Sequence, residues 1–189
     1  MAAACTSGPP APDESVTLQA TESWRQNREQ YMREDQDSPI PADKKDALLP
    51  LRYYPSDLSY IVPAELELSA NRPVLEMPTS TGTLRRMERV GVLEFTLQGQ
   101  RMTLAAFVEE GQPLESLFVP FADATTGGET YSAGRYLDIA PTPTGIYEIN
   151  FNQAYNPNCA YNDRYECPFP PASNRLTVAV RAGEKAPGA

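Results

Sequence analysis

The sequence contains no histidine, the residue that most often serves as a general base near neutral pH and as a nitrogen ligand of zinc, copper or iron. Catalysis by Ser-His-Asp or Cys-His arrangements is therefore excluded for this chain. An enzyme with this composition would have to use carboxylates or Tyr, Lys, Arg, Ser and Cys side chains. We predict no metal site and no cofactor.

Long apolar runs and an excess of positive charge are also lacking. No stretch approaches the roughly 20 apolar residues that a membrane-spanning helix requires. Lys and Arg together number 16 against 25 Asp and Glu, so the formal net charge is −9. Because such a protein repels phosphate backbones and anionic lipid surfaces at long range, we expect no nucleic acid partner.

Proline, in contrast, is abundant. The 19 prolines recur throughout the chain and favour short elements joined by turns, which argues against an all-helical fold. The 189 residues, of which 41% are hydrophobic, suit one globular domain with one core. We assign this domain to residues 21–189.

Residues 1–20 are predicted to form a disordered tether, because small and turn-forming residues at its start cannot bury enough apolar area to fold. The alanines directly before the lone Cys5 resemble the end of a bacterial lipoprotein signal, in which the cysteine becomes the acylated first residue. Ala2 stands where that motif usually has Leu, and the charged start and apolar stretch of such a signal are not seen. Two interpretations stay open: a protein of the bacterial cell envelope with a membrane tether at Cys5, or a cytoplasmic protein with an ordinary Ala-rich terminus.

One amphipathic helix is predicted at residues 23–34. The residues near one face of this helix are Trp24, Arg28, Tyr31 and Met32. Ser23 and Gln26 have the spacing of a capping box at its start. Because aromatic residues along one helical face normally bury, we expect Trp24 and Tyr31 to pack against the sheet as core.

After Pro50 the pattern changes to short apolar runs bounded by Pro and Gly. The predicted strands cover residues 51–54, 61–68, 89–97, 101–108, 117–121, 134–139, 146–151 and 175–181. Between two of them, Gln98-Gly99-Gln100 predicts a hairpin turn. Strands spaced in this way must cover their edges. The predicted fold is therefore mainly β, an antiparallel barrel-like or sandwich fold with one N-terminal amphipathic helix.

Ten short motifs of unusual composition are spread over most of the chain after Trp24. They are Tyr53-Tyr54-Pro55, Thr79-Ser80-Thr81-Gly82, Leu117-Phe118-Val119-Pro120-Phe121, Glu129-Thr130-Tyr131, Gly134-Arg135-Tyr136-Leu137, Tyr155-Asn156-Pro157, Cys159-Ala160-Tyr161, Cys167-Pro168, Asn174-Arg175-Leu176 and Gly183-Glu184-Lys185. In this order they resemble the bacterial family catalogued as a domain of unknown function, DUF1684. The family pattern has Asp-Phe-Asn before its Tyr-Asn-Pro motif, whereas this chain has Asn150-Phe151-Asn152 and so lacks a carboxylate there. The resemblance implies no known reaction.

The candidate ligand site combines the strand at residues 134–138 with the loop at residues 155–167. Its candidate ligand-binding residues are Tyr131, Arg135, Asn152, Tyr155, Asn156 and Arg175. Arg135 and Arg175 offer planar guanidinium groups that suit a carboxylate, a phosphate or a sugar, and the Tyr and Asn side chains add hydrogen bonds. The alternative is structural, because loops rich in Asn and Pro need internal hydrogen bonds. The arginines would then pair with carboxylates such as Glu129, Asp138 or Glu184.

Cys159 and Cys167 are separated by seven residues in a Pro-rich loop, a spacing that permits a disulfide if the loop folds back. In an exported protein a disulfide is the expected state of such a pair. A metal site would need two more ligands, and a reactive thiol would need a neighbour that lowers its pKa.

The predicted function is an uncharacterised cell-envelope protein, a non-catalytic module that binds a small polar or anionic ligand. One alternative is a hydrolase that uses carboxylate and Tyr chemistry without histidine, and its candidate acids are Asp123, Glu129 and Asp138. A second alternative is a protein-interaction domain that uses the Tyr-rich loop as a docking face.

Overall fold

The computed structural model of the protein describes residues 14–188, which form an antiparallel sheet with one long helix at the N-terminal end. The predicted anchor Cys5 and residues 1–13 of the predicted tether lie outside the described residues. The helices are α1 (Glu14–Glu34) and α2 (Lys45–Leu48). The strands are β1 (Ile61–Leu68), β2 (Val74–Pro78), β3 (Leu84–Leu97), β4 (Gln100–Glu109), β5 (Leu117–Phe121), β6 (Arg135–Ile139) and β7 (Ile146–Asn150).

Helix α1 begins at Glu14, so residues 14–20, which the sequence analysis placed in the tether, are helical. No proline or glycine interrupts α1, and the helix therefore extends past the capping-box spacing at Ser23. The buried residues of α1 are Thr21, Arg25 and Met32. Arg25 donates to the Asn152 carbonyl at 3.2 Å, and Thr21 accepts from the Asn150 amide at 3.1 Å. Polar contacts as well as apolar packing thus hold the helix.

Six strands follow one another in the order β6-β5-β4-β3-β1-β7, and every neighbouring pair is antiparallel. Strand β3 pairs with β2 along its first half and with β1 along its second half. The register between β3 and β4 shifts between Arg89 and Gly91. A bulge bends the strand that carries it, and the sheet curls into a half-barrel. The predicted mainly β, barrel-like fold with an N-terminal helix is confirmed.

The predicted hairpin joins β3 and β4. Strand β3 ends at Leu97 and β4 begins at Gln100, so Gln98 and Gly99 form a two-residue turn. Both residues have positive φ, 51° and 74°, as a type I′ turn requires.

Two predicted strands are wrong. Residues 51–54 and 175–181 are irregular, with only isolated bridges from Tyr53 to Glu184 and from Arg175 to Ala122. In the second segment the alternating residues Leu176, Val178 and Val180 are nevertheless buried. They pack into the main core beside the loop that follows β5, so the alternation reflects burial without a neighbouring strand. Strand β2 had not been predicted.

The main core lies between the sheet and residues 176–182. A smaller apolar cluster packs under α1 and consists of Met32, Ile40, Leu49, Leu51 and Tyr161. Within residues 14–188, no helix combines the length and the apolar character needed to cross a bilayer.

Gly183 has a φ of +77°, and a Cβ added there would lie 2.7 Å from the carbonyl oxygens of both Phe151 and Ala154. Gly99 has a similar φ of +74° but nothing within 4 Å of an added Cβ. We expect Gly99→Ala to cost about 1–2 kcal/mol of stability from backbone conformation alone. Gly183→Ala should cost about 1–3 kcal/mol more, because the backbone must move. Urea unfolding measures both, and equal losses would contradict the close approach at Gly183.

Candidate functional site

A cleft of about 810 Å³ opens between α1, the end of β4, β6 and the loop at residues 155–168. Three aromatic side chains from three different segments form what we term the aromatic wall: Trp24 from α1, Tyr136 from β6 and Tyr155 from the loop. Arg28 and Asp138 lie beside them and supply charge. Apolar walls with a few convergent polar groups are typical of small-molecule sites.

The position of Tyr155 is set by the edge of β6. Tyr136 and Tyr155 exchange two backbone hydrogen bonds, of 2.9 and 3.0 Å, so the loop joins the sheet at this point. Their rings meet edge to face with centroids 5.9 Å apart, and the Trp24 ring lies 6.5 Å from Tyr155. The Tyr136 hydroxyl donates to the Pro168 carbonyl at 2.6 Å and so ties the far end of the loop to the same strand.

Asp138 lies two residues after Tyr136 and therefore on the same face of β6. Its Oδ2 accepts a hydrogen bond of 2.5 Å from the Tyr155 hydroxyl. Enclosure by the cleft raises the pKa of Asp138, while the Tyr155 hydroxyl and the charge of Arg28 act in the opposite direction. Burial, together with the neighbouring Asp138 charge, places the pKa of Tyr155 well above its usual range. Tyr155 is thus a neutral hydrogen-bond donor near neutral pH.

Arg28 connects the cleft to a buried carboxylate behind it. Its guanidinium lies 4.5 Å from the centre of the Tyr155 ring and donates to the Asn156 carbonyl at 3.1 Å. Its Nε lies 3.4 Å from Glu184 Oε2. Glu184 is 1% exposed and also accepts from the Asn156 amide and the Tyr161 hydroxyl. Burial raises the pKa of Glu184, and the Arg28 charge opposes this shift.

Arg135, the central residue of the predicted site, lies inside the protein and not in the cleft. It is 1% exposed, and its guanidinium donates to Asp123 Oδ2 at 3.1 Å and to the Val180 carbonyl at 2.9 Å. It also donates to the carbonyls of Ala182 and Glu184. Arg135 therefore has the structural role that was the alternative to ligand binding, but its carboxylate partner is Asp123 and not Glu129, Asp138 or Glu184.

The two predicted asparagines are buried and hold the loop to other segments. Asn152 pairs with the backbone of Asp57, accepting from its amide at 2.9 Å and donating to its carbonyl at 2.8 Å. Asn156 donates to the Lys185 carbonyl at 2.7 Å. The Asn156 Oδ1 is buried, and no hydrogen bond to it is formed within residues 14–188. Both residues serve the loop and do not line the cleft.

The remaining predicted residues separate in the fold. Arg175 is exposed, and Tyr131 donates to the Cys159 carbonyl at 3.4 Å. Of the six predicted ligand-binding residues, Tyr155 alone lines the cleft. Trp24 and Tyr31, which were expected to be core, line it instead, and Tyr31 is 38% exposed. The sequence did contain one indication that Trp24 and Tyr31 line a cleft: Arg28, a charged residue, lies between them on the helical face that was predicted to be buried.

The three candidate acids have different partners. Asp123 pairs with Arg135, while Glu129 accepts from Arg181 at 2.8 Å and from the Tyr54 hydroxyl at 3.0 Å. Asp138 is the member of the three that lines the cleft.

Cys159 and Cys167 are buried neighbours. The Cys159 amide lies 3.1 Å from the Cys167 sulfur, and both residues are free thiols in this structure. Hydrogen bonding to Cys167 lowers the pKa of the Cys159 thiol to about 7. The loop therefore folds back as a disulfide requires, and the disulfide itself stays a prediction.

A family model described as "Protein of unknown function (DUF1684)" matches residues 47–185. The chain is also similar to the solution NMR structure of an uncharacterized protein from Haloarcula marismortui, with 35% sequence identity and a TM-score of 0.72. The similarity covers 90% of this chain and 93% of that one. No curated protein matches the sequence.

The Arg135 arrangement predicts a large asymmetry between two carboxylate substitutions. Asp123→Asn leaves a buried guanidinium without its counter-charge, which should cost about 3–5 kcal/mol of stability. Glu110→Gln, which breaks the exposed pair with Arg86, should cost far less, because solvent screens a surface ion pair. Chemical denaturation of both variants checks this. Similar losses would contradict the structural role of Arg135.

Proposed function

The chain belongs to the family described as protein of unknown function DUF1684, and we propose that it is a non-catalytic module that binds a small polar ligand in the cleft. The observation that carries this proposal is the convergence of Trp24, Tyr136 and Tyr155, from three separate segments, around Asp138. Rings held by backbone and hydroxyl hydrogen bonds form a site that exists before a ligand arrives. Preorganisation of this kind reduces the entropic cost of binding.

Hydrolysis is less well supported than binding. A glycosidase needs two carboxyl groups roughly 5–9 Å apart, and a close second carboxylate would raise the pKa of the first. Burial raises the pKa of Asp138, while the hydrogen bond from the neutral Tyr155 hydroxyl and the charge of Arg28 lower it. Glu109 and Glu115 also line the cleft, but both are exposed, and among the described residues no carboxylate is a cause of the pKa shift of Asp138.

A docking face made by the Tyr-rich loop is also less well supported, because the loop tyrosines point inward. Tyr161 is 4% exposed and donates to Glu184, and Tyr155 faces the cleft. Tyr165 is only partly exposed and packs beside the cysteine cluster. Such side chains do not present the flat aromatic patch that protein partners use.

Trp24, the single tryptophan of the chain, makes the proposal directly testable. In a screen of small polar compounds, we expect saturable quenching of its fluorescence by compounds that enter the cleft. Trp24→Ala should then weaken binding by about tenfold or more in ligand-observed NMR, whereas Trp24→Phe keeps a ring and most of the affinity. Quenching without saturation, or equal affinity of the alanine variant, would remove the cleft as the binding site.

We also propose that the module works in the cell envelope, tethered through Cys5. The sequence around Cys5 and the neighbouring thiols of Cys159 and Cys167 support this location, because disulfides persist in oxidising compartments. In cells quenched with acid and alkylated under denaturing conditions, we expect this pair to react only after reduction. Its closure should contribute about 2–3 kcal/mol of stability. A pair alkylated without reductant would argue for a reducing compartment. In the control variant Cys159→Ser, Cys167 has lost its partner and should be alkylated without reduction.

A further inference from the structure

The charges that line the cleft are unequal. Arg28 is paired with the buried Glu184 at 3.4 Å, and Arg85 is paired with Glu166 at 3.5 Å. Three more carboxylates, all of exposed residues, line the cleft, and none has an ion-pair partner in the part of the chain that the structure describes: Glu109, Glu115 and Asp138. Because both arginines are already neutralised, the cleft and the whole protein, with its net charge of −9, repel an anion.

The aromatic wall offers a second attraction for positive charge. Aromatic faces attract cations through the ring quadrupole, most strongly where water is excluded. The cleft already contains one such contact, because the Arg28 guanidinium lies 4.5 Å from the centre of the Tyr155 ring. Trp24 and Tyr136 line the remaining space next to it, and the Trp24 ring is the best partner for a further cation.

Asp138 has the capacity to complete such a site. Its Oδ2 accepts from the Tyr155 hydroxyl at 2.5 Å, while its second oxygen accepts no hydrogen bond from residues 14–188. Asp138 is an exposed residue, and the partial loss of water around its carboxylate raises its pKa. A positive ligand group beside this oxygen would replace the lost solvation.

We infer that the ligand of the cleft is an organic cation, a quaternary or protonated amine that lies between the aromatic wall and Asp138. This inference rests on the proposed function and narrows the class of ligand, since the sequence pattern was compatible with a polar or an anionic ligand. A neutral polyol would use the same rings but would gain nothing from the unpaired carboxylates.

Three probes of one shape separate these possibilities: choline, its uncharged carbon isostere neohexanol, and the anion tert-butylacetate. Each is titrated into the purified protein while Trp24 fluorescence is recorded. Cation–π attraction is worth about 0.5–2 kcal/mol, which corresponds to roughly 2- to 30-fold in affinity. We therefore expect choline to bind about tenfold more tightly than neohexanol, and tert-butylacetate to bind most weakly.

Asp138→Asn keeps an oxygen acceptor for the Tyr155 hydroxyl, removes the negative charge and replaces the second oxygen by an NH2 group. The preference for choline over neohexanol should then shrink to the part that the aromatic wall supplies, and the affinity for neohexanol should not change. Glu67→Gln is the matched control, because it removes one exposed carboxylate from β1, outside the cleft, and should leave the choline affinity unaltered. Thermal unfolding of each variant confirms that it is folded.

Two outcomes would overturn the inference and are distinct from failure of the proposed function. Equal affinities for choline and neohexanol, or preference for tert-butylacetate, would exclude a cation-selective cleft while leaving a ligand site in place. If none of the three probes changes Trp24 fluorescence, the inference also fails. The proposed function is then tested by the fluorescence screen of small polar compounds described above, and it is wrong only if no compound in that screen binds.

Discussion

The buried guanidinium of Arg135 is the interaction on which the rest of the structure depends. It pairs with Asp123 and donates to three carbonyls of residues 180–184, a segment that belongs to no strand and has only an isolated bridge between Glu184 and Tyr53. Buried carbonyls without partners would each cost free energy, and a buried arginine without a counter-charge would cost more. The Arg135 guanidinium avoids both costs, because its several N–H groups donate to the carbonyls and to the Asp123 carboxylate at the same time.

Residues 180–184 also connect the interior of the protein to the cleft. Glu184 follows the carbonyls held by Arg135, and its carboxylate accepts from Arg28, from the Asn156 amide and from the Tyr161 hydroxyl. Arg28 in turn stacks on Tyr155. The ion pair in the interior is thus linked through Glu184 and Arg28 to the Tyr155 ring of the cleft, although neither Arg135 nor Asp123 lines that space.

The chemistry of the cleft follows from its surroundings more than from any single residue. A chain without histidine has few ways to move protons near neutral pH, and here the phenol of Tyr155 stays protonated because it is buried beside Asp138. Aromatic faces and partly desolvated carboxylates are better suited to holding a positive group than to breaking a bond. Fold and family membership do not distinguish a binding protein from an enzyme, and binding is the function that we propose for the cleft.

By itself, the sequence determined the features that depend on neighbouring residues: the β3–β4 hairpin with its Gln98-Gly99 turn, the presence of one N-terminal helix, the mainly β fold and, through its motifs, the family. The tertiary structure alone decided whether residues 175–181 had a strand partner and whether Arg135 faced a ligand or Asp123. It also decided that Trp24 and Arg28 line a cleft. Alternating and helical patterns of apolar residues predict which side chains will be buried. They do not predict the contacts, because these come from segments more than 100 residues away. Arg28 and Glu184, for example, are separated by 156 residues.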